Sequence, residues 1–130
     1  MRILHVLAQL PIKTGSGVYF TNVINGLKEF NVEQAAIYAT TPEYNFNFIE
    51  EKFEVEFQGE DISFPIVGMS DIMPYDNTLY KNMTDEMLET WQEVFRKKLE
   101  RAKREFKPDV VITHHLWILS SIVCDVFEGE

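Results

Sequence analysis

The chain has 130 residues, of which 45% are hydrophobic and 25% charged, and its formal net charge is −9. This length suits one domain with its own core, and the acidic balance argues against a nucleic-acid-binding protein. No apolar run has the length of a membrane span or the pattern of a secretory signal, and the single cysteine, Cys124, cannot form an internal disulfide, so we expect a cytoplasmic location.

The N-terminal thirty residues have the pattern of a strand, a glycine-bearing loop and a helix. The apolar run 3–10, interrupted only by His5 and Gln9, predicts a buried strand over 2–7, in which His5 is a packed core residue. Beyond a loop over 9–16, apolar residues recur at steps of three and four and predict a helix over 17–30, with Thr14 or Ser16 as its N-cap. Because a helix N-terminus favours negative charge, this loop is a candidate anion site.

The loop does not match the two best-known phosphate-binding patterns. A P-loop has Lys and then Ser or Thr after its second glycine, whereas Val18 and Tyr19 follow Gly17. The dinucleotide fingerprint needs a third small residue, and Phe20 occupies that place. A strand-to-helix turn that binds nothing remains an alternative at this point.

The middle of the chain is less regular. A second strand is predicted over 33–39, parallel to the first, followed by a loop over 41–52 whose alternating aromatic residues fit an edge strand or a packed flap. Two further strands are predicted over 53–58 and 64–67. The long stretch 68–82, which contains Tyr75, is predicted to be a binding loop rather than a disordered segment.

The longest predicted helix covers residues 84–106, and Pro108 ends it. Its apolar stripe predicts a core-facing helix. Seven of the twelve basic residues lie within 96–107, against only two acidic residues there. This segment is either a solvated helix end or a patch for an anionic acceptor or a membrane surface.

A second strand-loop-helix unit follows, with a strand over 109–113, the pair His114 and His115, and an apolar helix pattern that includes Cys124 as a core residue. In a parallel sheet both loops lie at the carboxyl ends of their strands, where ligands bind. With three histidines and one cysteine, no metal site is predicted. The predicted fold is α/β, a three-layer Rossmann-like domain with a mostly parallel sheet.

Two segments of the chain resemble family-4 glycosyltransferases of the GT-B fold. The opening Met-Arg-Ile-Leu-His-Val, with Pro11, the run 14–18 and the helix segment 23–28, resembles the first strand, Gly-Gly-Val-type loop and first helix of these enzymes. The run 108–115, Pro-Asp-Val-Val-Ile-Thr-His-His, resembles their Pro-Asp-Val-Ile-His-Ala-His segment, with Ile112 in place of the first histidine and His114 in place of the second. The histidine of the turn that follows the first helix is absent.

The resemblance implies that residues 1–130 are the N-terminal, acceptor-side domain and one half of a GT-B fold. The parent enzyme would transfer a glycosyl group, of the hexosyl type, from a nucleotide-sugar to an acceptor, with retention and without a metal or other cofactor. Gly15, Ser16 and Gly17 would bind the diphosphate of the donor, and His114 would contact the sugar or assist proton movement. Tyr19, His115 and Tyr75 would contact substrate.

The resemblance also implies a C-terminal, donor-binding domain, which this sequence does not contain. Glu43 and Glu51 have the spacing of that domain's Glu-x7-Glu motif, but they precede a strand in an acidic chain, and we interpret the spacing as coincidence. We therefore expect a truncated piece of a longer protein, inactive alone and cytoplasmic or at the inner membrane surface through the 96–107 segment. A non-catalytic Rossmann-like binding module and a nucleotide-binding enzyme of another class remain alternatives.

Overall fold

The structure, a computed structural model, describes residues 1–68, 74–114 and 118–127. In chain order the strands within these ranges are β1 (Arg2–Val6), β2 (Glu33–Thr40), β3 (Glu51–Glu56), β4 (Val67–Gly68), β5 (Thr78–Leu79) and β6 (Val110–Thr113). The helices are α1 (Gly15–Leu27), α2 (Asp85–Glu105) and α3 (Ile118–Val126), with a short 3-10 helix at Tyr80–Asn82.

Four of the strands form one sheet in the order β3-β2-β1-β6, and every pair in it is parallel. The central strand β1 places His5 opposite Ala36 of β2 and Ile112 of β6. Parallel neighbours need crossover connections, and helices on both faces of the sheet supply most of them. The predicted α/β, Rossmann-like architecture with a mostly parallel sheet is confirmed.

One face of the sheet carries the larger core, which α2 and α3 cover. The stripe of α2 that faces the sheet is fully buried at Trp91, Phe95 and Leu99, and packs on alternate side chains of β1, β2 and β3. Thr84 caps the helix by accepting a hydrogen bond from the Met87 amide, as the Thr-Asp-Glu start leads one to expect. The predicted helix over 84–106 is confirmed to within a residue at each end.

The opposite face is covered by α1 and by an aromatic segment without regular structure. Phe20 and Ile24 of α1 are fully buried against Leu7, Ala36 and Tyr38. The connection from β2 to β3 contains no helix. Instead, the rings of Phe46 and Phe48 lie 5.7 and 5.3 Å from the ring of Tyr38. Over residues 41–50 the packed segment is therefore the observed one of the two interpretations, whereas Glu51 and Lys52, predicted as loop, already belong to β3.

The predicted strand over 64–67 is wrong for most of its length. Only Val67 belongs to a strand, β4, which pairs with β5 in a separate two-stranded ladder. Pro65 explains the difference, because proline has no amide hydrogen for a ladder. The carbonyl of Pro65 instead accepts a hydrogen bond of 2.6 Å from the hydroxyl of Thr78. The stretch 68–82 accordingly contains β5 and the 3-10 helix, while its residues 69–73 lie outside the described ranges.

Two smaller expectations also change. Helix α1 begins at Gly15, two residues before the predicted start, because Thr14 is its N-cap. Cys124 was expected in the core but is exposed. The buried face of α3 consists of Leu119, Ile122, Val123 and Val126, and Cys124 lies on the other side of the helix.

Candidate functional site

The order of the strands reverses direction between β1 and β6. From β1 the chain builds outward through β2 and β3 on one side, and then returns through α2 to place β6 on the other side of β1. In open parallel sheets such a switch point leaves a crevice outside the carboxyl ends of the two strands, where ligands bind. The residues that follow β1 and β6 therefore form the candidate site.

A small hydrogen-bond network holds the start of α1 at this crevice. The hydroxyl of Thr14 accepts from the Gly17 amide at 3.0 Å and lies 3.3 Å from the Ser16 hydroxyl. Ser16 donates in turn to the side-chain oxygen of Gln9 at 3.2 Å, and Gln9 is buried three residues after the end of β1. The network ties the helix start to the strand it follows.

Gly17 contributes through the side chain it lacks. A Cβ at this position would lie 2.6 Å from the carbonyl oxygen of Leu10 and 2.8 Å from the amide nitrogen of Ile12. Both are backbone atoms that cannot move aside cheaply, whereas a Cβ on Gly15 would meet nothing within 4 Å. The Gly17 amide already donates to Thr14. The role of Gly17 is therefore to leave room, through its missing side chain, for the loop over 10–12 to lie against α1.

The amides of Gly15 and Ser16 are the first two of α1, where no carbonyl of the preceding turn is available within the helix. The first turn of α1 contains no acidic residue, whereas the first turn of α2 carries Asp85 and Glu86. Carboxylates at a helix start compensate the positive end of the helix dipole. The N-terminus of α1 is left uncompensated by its own side chains, which favours an external anion.

His114 is held against the second turn of α1. Its amide donates to the carbonyl of Val6 at 3.0 Å, which extends the β1–β6 ladder by one residue. Its ring centroid lies 4.8 Å from that of Phe20, 5.7 Å from that of His5 and 6.1 Å from that of Tyr19. The structure therefore brings two of the predicted site residues, Tyr19 and His114, into contact beside the predicted glycine loop.

His5 is fully buried beneath His114 and is part of the same ring cluster. Burial lowers the pKa of its imidazole, although a hydrogen bond to Gln34 opposes this shift in part. The Gln34 amide nitrogen donates to the carbonyl of Ile24 at 3.1 Å, so its oxygen is the atom that faces His5 Nε2, at 2.8 Å. His5 is therefore a neutral imidazole that donates through Nε2, and its buried Nδ1 has no hydrogen-bond partner within the described residues.

The other predicted substrate contacts are separated. Tyr19 is 64% exposed at the crevice, and Tyr75 lines a different cleft together with Lys13 and Tyr44. His115 lies outside the described residues. Sequence reasoning placed these residues in one site. The structure divides Tyr19 and Tyr75 between two places on the same edge of the sheet.

Sequence reasoning missed the roles of two buried polar residues, His5 and Gln9, and of the half-buried Gln34. Gln9 and Gln34 bridge the sheet to α1, and His5 belongs to the ring cluster rather than only to the core. A signal was present for Gln9 and His5, since they are the only polar residues in an apolar strand. The sequence contains no such signal for Gln34, because a glutamine near the start of a strand is common and suggests no special role.

The basic 96–107 segment is largely paired with acidic side chains. Arg96 contacts Asp125 of α3 at 2.7 Å, and Lys98 lies 3.8 Å from Asp61. Two more ion pairs lie within α2, Lys97 with Glu93 and Arg101 with Glu105. A membrane contact through this segment stays a prediction. None of the helices in the described ranges combines the length and apolar character needed to cross a bilayer.

Within the described ranges, histidine, cysteine and carboxylate side chains do not gather in a group of three that could hold a metal ion. Neither a family model, nor a curated protein, nor a solved structure matches the chain.

Proposed function

We propose that residues 1–130 form the N-terminal, acceptor-side domain of a nucleotide-sugar-dependent glycosyltransferase of the GT-B type. The observation that carries the proposal is the placement of His114 at the switch point between β1 and β6, against Phe20 of the helix whose first turn has no acidic residue. Residues that are about one hundred positions apart in the sequence converge there, and both belong to the segments that resemble this family.

The anion-binding part of the proposal rests on Gly15 and Ser16. Their amides open α1, and the helix dipole adds roughly half a positive charge at that end. A diphosphate leaving group that departs from the sugar gains negative charge, and amides preorganised toward it stabilise that charge electrostatically. Gly17 supports the site by allowing the loop over 10–12 to pack, because any side chain there would collide with the backbone.

His114 would lie beside the transferred sugar. Phe20 packs on its ring edge and Val6 anchors its amide, so the imidazole has a fixed position from which to bind a sugar hydroxyl or to move a proton. The exposed ring of Tyr19 would border the substrate on the outer side. By the same resemblance, the transfer would proceed without a metal. Completion of the donor site requires a C-terminal domain, so the isolated chain is expected to bind weakly and not to turn over.

A titration followed by amide NMR tests the anion site directly. We expect inorganic pyrophosphate, UDP-glucose and GDP-mannose to shift the amide signals of Gly15 and Ser16 with dissociation constants of about 1 mM, the weak range expected for half a site. The amides of Asp85 and Glu86 are a matched control, because α2 has the same threonine cap but an acidic first turn. Equal shifts at both helix starts, or none at α1, would contradict the proposal.

The gene that encodes the chain supplies a second test. We expect the reading frame downstream of residue 130 to encode roughly 200 further residues, the scale of one more domain, with a Rossmann-like pattern and a Glu-x7-Glu motif. In the purified parent, His114→Ala should reduce glycosyl transfer by about 100-fold or more, the scale typical of a lost acid–base group. A stop codon directly after residue 130 would contradict the proposed glycosyltransferase activity and favour a non-catalytic binding module.

A further inference from the structure

A second cleft opens at the same edge of the sheet, on the other side of the loop that follows β1. It has a volume of about 240 Å³ and lies over β1, β2 and β3 rather than over the β1–β6 crevice. The side chains that matter for its chemistry come from four separate segments, and they are Lys13, Glu43, Tyr44, Gln58, Tyr75 and Asp76. The role proposed above for the crevice uses none of these residues, although the sequence predicted Tyr75 as a substrate contact.

Two residues of this cleft have an unfavourable backbone conformation. Lys13 has φ 70° and Gln58 has φ 53°, which is the left-handed region that favours glycine and is unfavourable for other residues. The remaining non-glycine residue of this kind in the described ranges, Lys107, follows the last turn of α2 and donates its amide to Ala102 at 3.2 Å, an ordinary helix end. Glycine would satisfy the backbone at positions 13 and 58, so a long polar side chain at each points to a use for that side chain.

Aromatic rings form one wall of the cleft. Tyr44 stacks on Phe46 with ring centroids 5.3 Å apart and an interplanar angle of 9°. The ammonium group of Lys13 lies 5.6 Å from the centroid of Tyr44, and a hydrogen bond to Tyr44 raises the pKa of this exposed lysine. Phe46 therefore fixes the Tyr44 ring, and a cation is held beside it.

Tyr75 adds a buried hydroxyl group. The buried hydroxyl oxygen makes no hydrogen bond of normal geometry within the described residues. Burial raises the pKa of Tyr75 to about 12, and the nearby backbone of Leu10 offsets part of this rise. The phenol is therefore protonated at neutral pH and can donate a hydrogen bond to a ligand.

The mixture of groups limits the class of ligand. Two carboxylates, Glu43 and Asp76, face one ammonium group, so the cleft has an excess of negative charge and disfavours phosphate or a carboxylate. The ammonium group in turn disfavours a metal cation. Lys13 and Tyr75 supply hydrogen-bond donors, the carboxylates supply acceptors, and the side-chain amide of the cleft supplies both. Together with the fixed aromatic wall, these groups suit a neutral molecule with several hydroxyl groups.

We propose that this cleft binds a single neutral sugar ring. The volume is below the roughly 300–1,000 Å³ of pockets for drug-sized ligands, so one ring rather than an extended chain fits inside it. Sugar binding follows from the cleft alone. Its assignment as the acceptor subsite, with the donor in the β1–β6 crevice, rests on the proposed glycosyltransferase function.

The test is an amide NMR titration of the whole chain with the methyl α-pyranosides of glucose, mannose and galactose. At least one of them should shift the signals of Lys13, Tyr44 and Gln58 with a dissociation constant of about 1–10 mM, a scale typical of one small polar ligand. Lys13→Gly should lower that affinity about tenfold, because a hydrogen bond from a charged group is lost. The same variant relieves the backbone conformation, so it should be as stable as the natural chain or more stable.

Lys107→Gly is the matched control, since it relieves the same conformation at the other edge of the sheet and should leave sugar binding unchanged. The proposal is overturned if all three glycosides leave the cleft signals unmoved, or if Lys13→Gly binds sugar as well as the natural chain does. Shifts at the cleft caused by UDP-glucose or GDP-mannose but not by the glycosides would assign the sugar to the donor and overturn the acceptor subsite.

The two proposals fail separately. Pyrophosphate reports only on Gly15 and Ser16. If pyrophosphate binds and no glycoside does, the proposed sugar site is overturned and the proposed anion site is supported. If a glycoside binds and pyrophosphate does not, the anion site is overturned and the sugar site is supported.

Discussion

The two faces of the central sheet are built in different ways. The face under α2 and α3 is a large apolar core, centred on Trp91, Phe95 and Leu99, in which regular helices cover alternate strand residues. The face under α1 is smaller, contains the buried His5 hydrogen-bonded to the half-buried Gln34, and is closed partly by an aromatic segment instead of a second helix. The first face contains most of the buried apolar side chains, and the second face carries the polar groups and rings that support the candidate site.

The largest expected effect lies on the first face. Trp91→Ala should lower the free energy of unfolding by about 3–5 kcal/mol, because Trp91 is fully buried and its ring lies 4.4 Å from that of Phe95. Urea denaturation followed by circular dichroism measures the loss. If the variant does not fold, Trp91→Phe gives a smaller loss. The NMR signals of His114 should not shift in Trp91→Phe. Phe20→Leu, on the face that contacts His114, is the comparison, and a shift in Trp91→Phe as large as in Phe20→Leu would show that the two faces are not independent.

The next effect lies on the second face, at the loop after β1. Gly17→Ala should cost about 1–3 kcal/mol, because the new methyl group would lie 2.6 Å from the carbonyl oxygen of Leu10. Gly15→Ala is the matched control, since its methyl group meets nothing within 4 Å, and it should be neutral or slightly stabilising. Thermal unfolding of the two variants in parallel checks the difference. Equal losses would mean that the loop over 10–12 does not pack on α1.

The two helix caps give a smaller contrast. Thr14→Ala and Thr84→Ala each remove a side-chain acceptor at a helix start and should cost about 1 kcal/mol. Thr14 also contacts Ser16, which binds Gln9, so its loss should be the larger of the two. Urea denaturation of both variants measures the order. A larger loss at Thr84 would contradict the importance of the network around α1.

The last difference is a dependence on pH. Because burial lowers the pKa of His5 below the value of 6.5 that it has when unfolded, the unfolded chain takes up a proton there more readily than the folded one. Stability contributed by the neutral imidazole should therefore be present above about pH 6.5 and be lost as the pH falls through that value. Free energies of unfolding measured from pH 8 to pH 5 should decline less steeply in His5→Leu than in the natural chain. Parallel declines would place the acid sensitivity elsewhere.

The same contrast explains how much the sequence predicted. Helix α2 combines a regular apolar stripe, a threonine cap and Pro108, so local signals and tertiary packing agree, and its limits were predicted closely. The strand over 64–67 failed because an apolar pattern was given more weight than the missing amide of Pro65. At the crevice, the glycine loop and His114 were identified from the sequence. Their contact was not, because it depends on β6 lying beside β1.

The second cleft had no comparable signal in the sequence. Its two left-handed residues are Lys13 and Gln58, whereas sequence patterns lead one to expect glycine or asparagine at such positions. Tyr75 was predicted to contact substrate because it lies in a long irregular stretch, but nothing in the sequence placed it near Lys13 and Tyr44. Backbone conformation and the convergence of four segments both belong to the folded chain alone.

The pairing of β1 with β6 also bears on the order in which the chain assembles. Val6 pairs with Thr113, and the β1 amide of Arg2 donates to the side chain of Asp109, 107 residues further along the chain. Closing so long a loop carries a high entropic cost, so contacts of this separation form late in folding. The β1–β2–β3 half, joined by short connections, can be in place before β6 docks. The crevice with His114 therefore comes into existence with the final strand, and a chain interrupted before residue 110 would retain the Lys13 cleft's loops without ever forming the crevice.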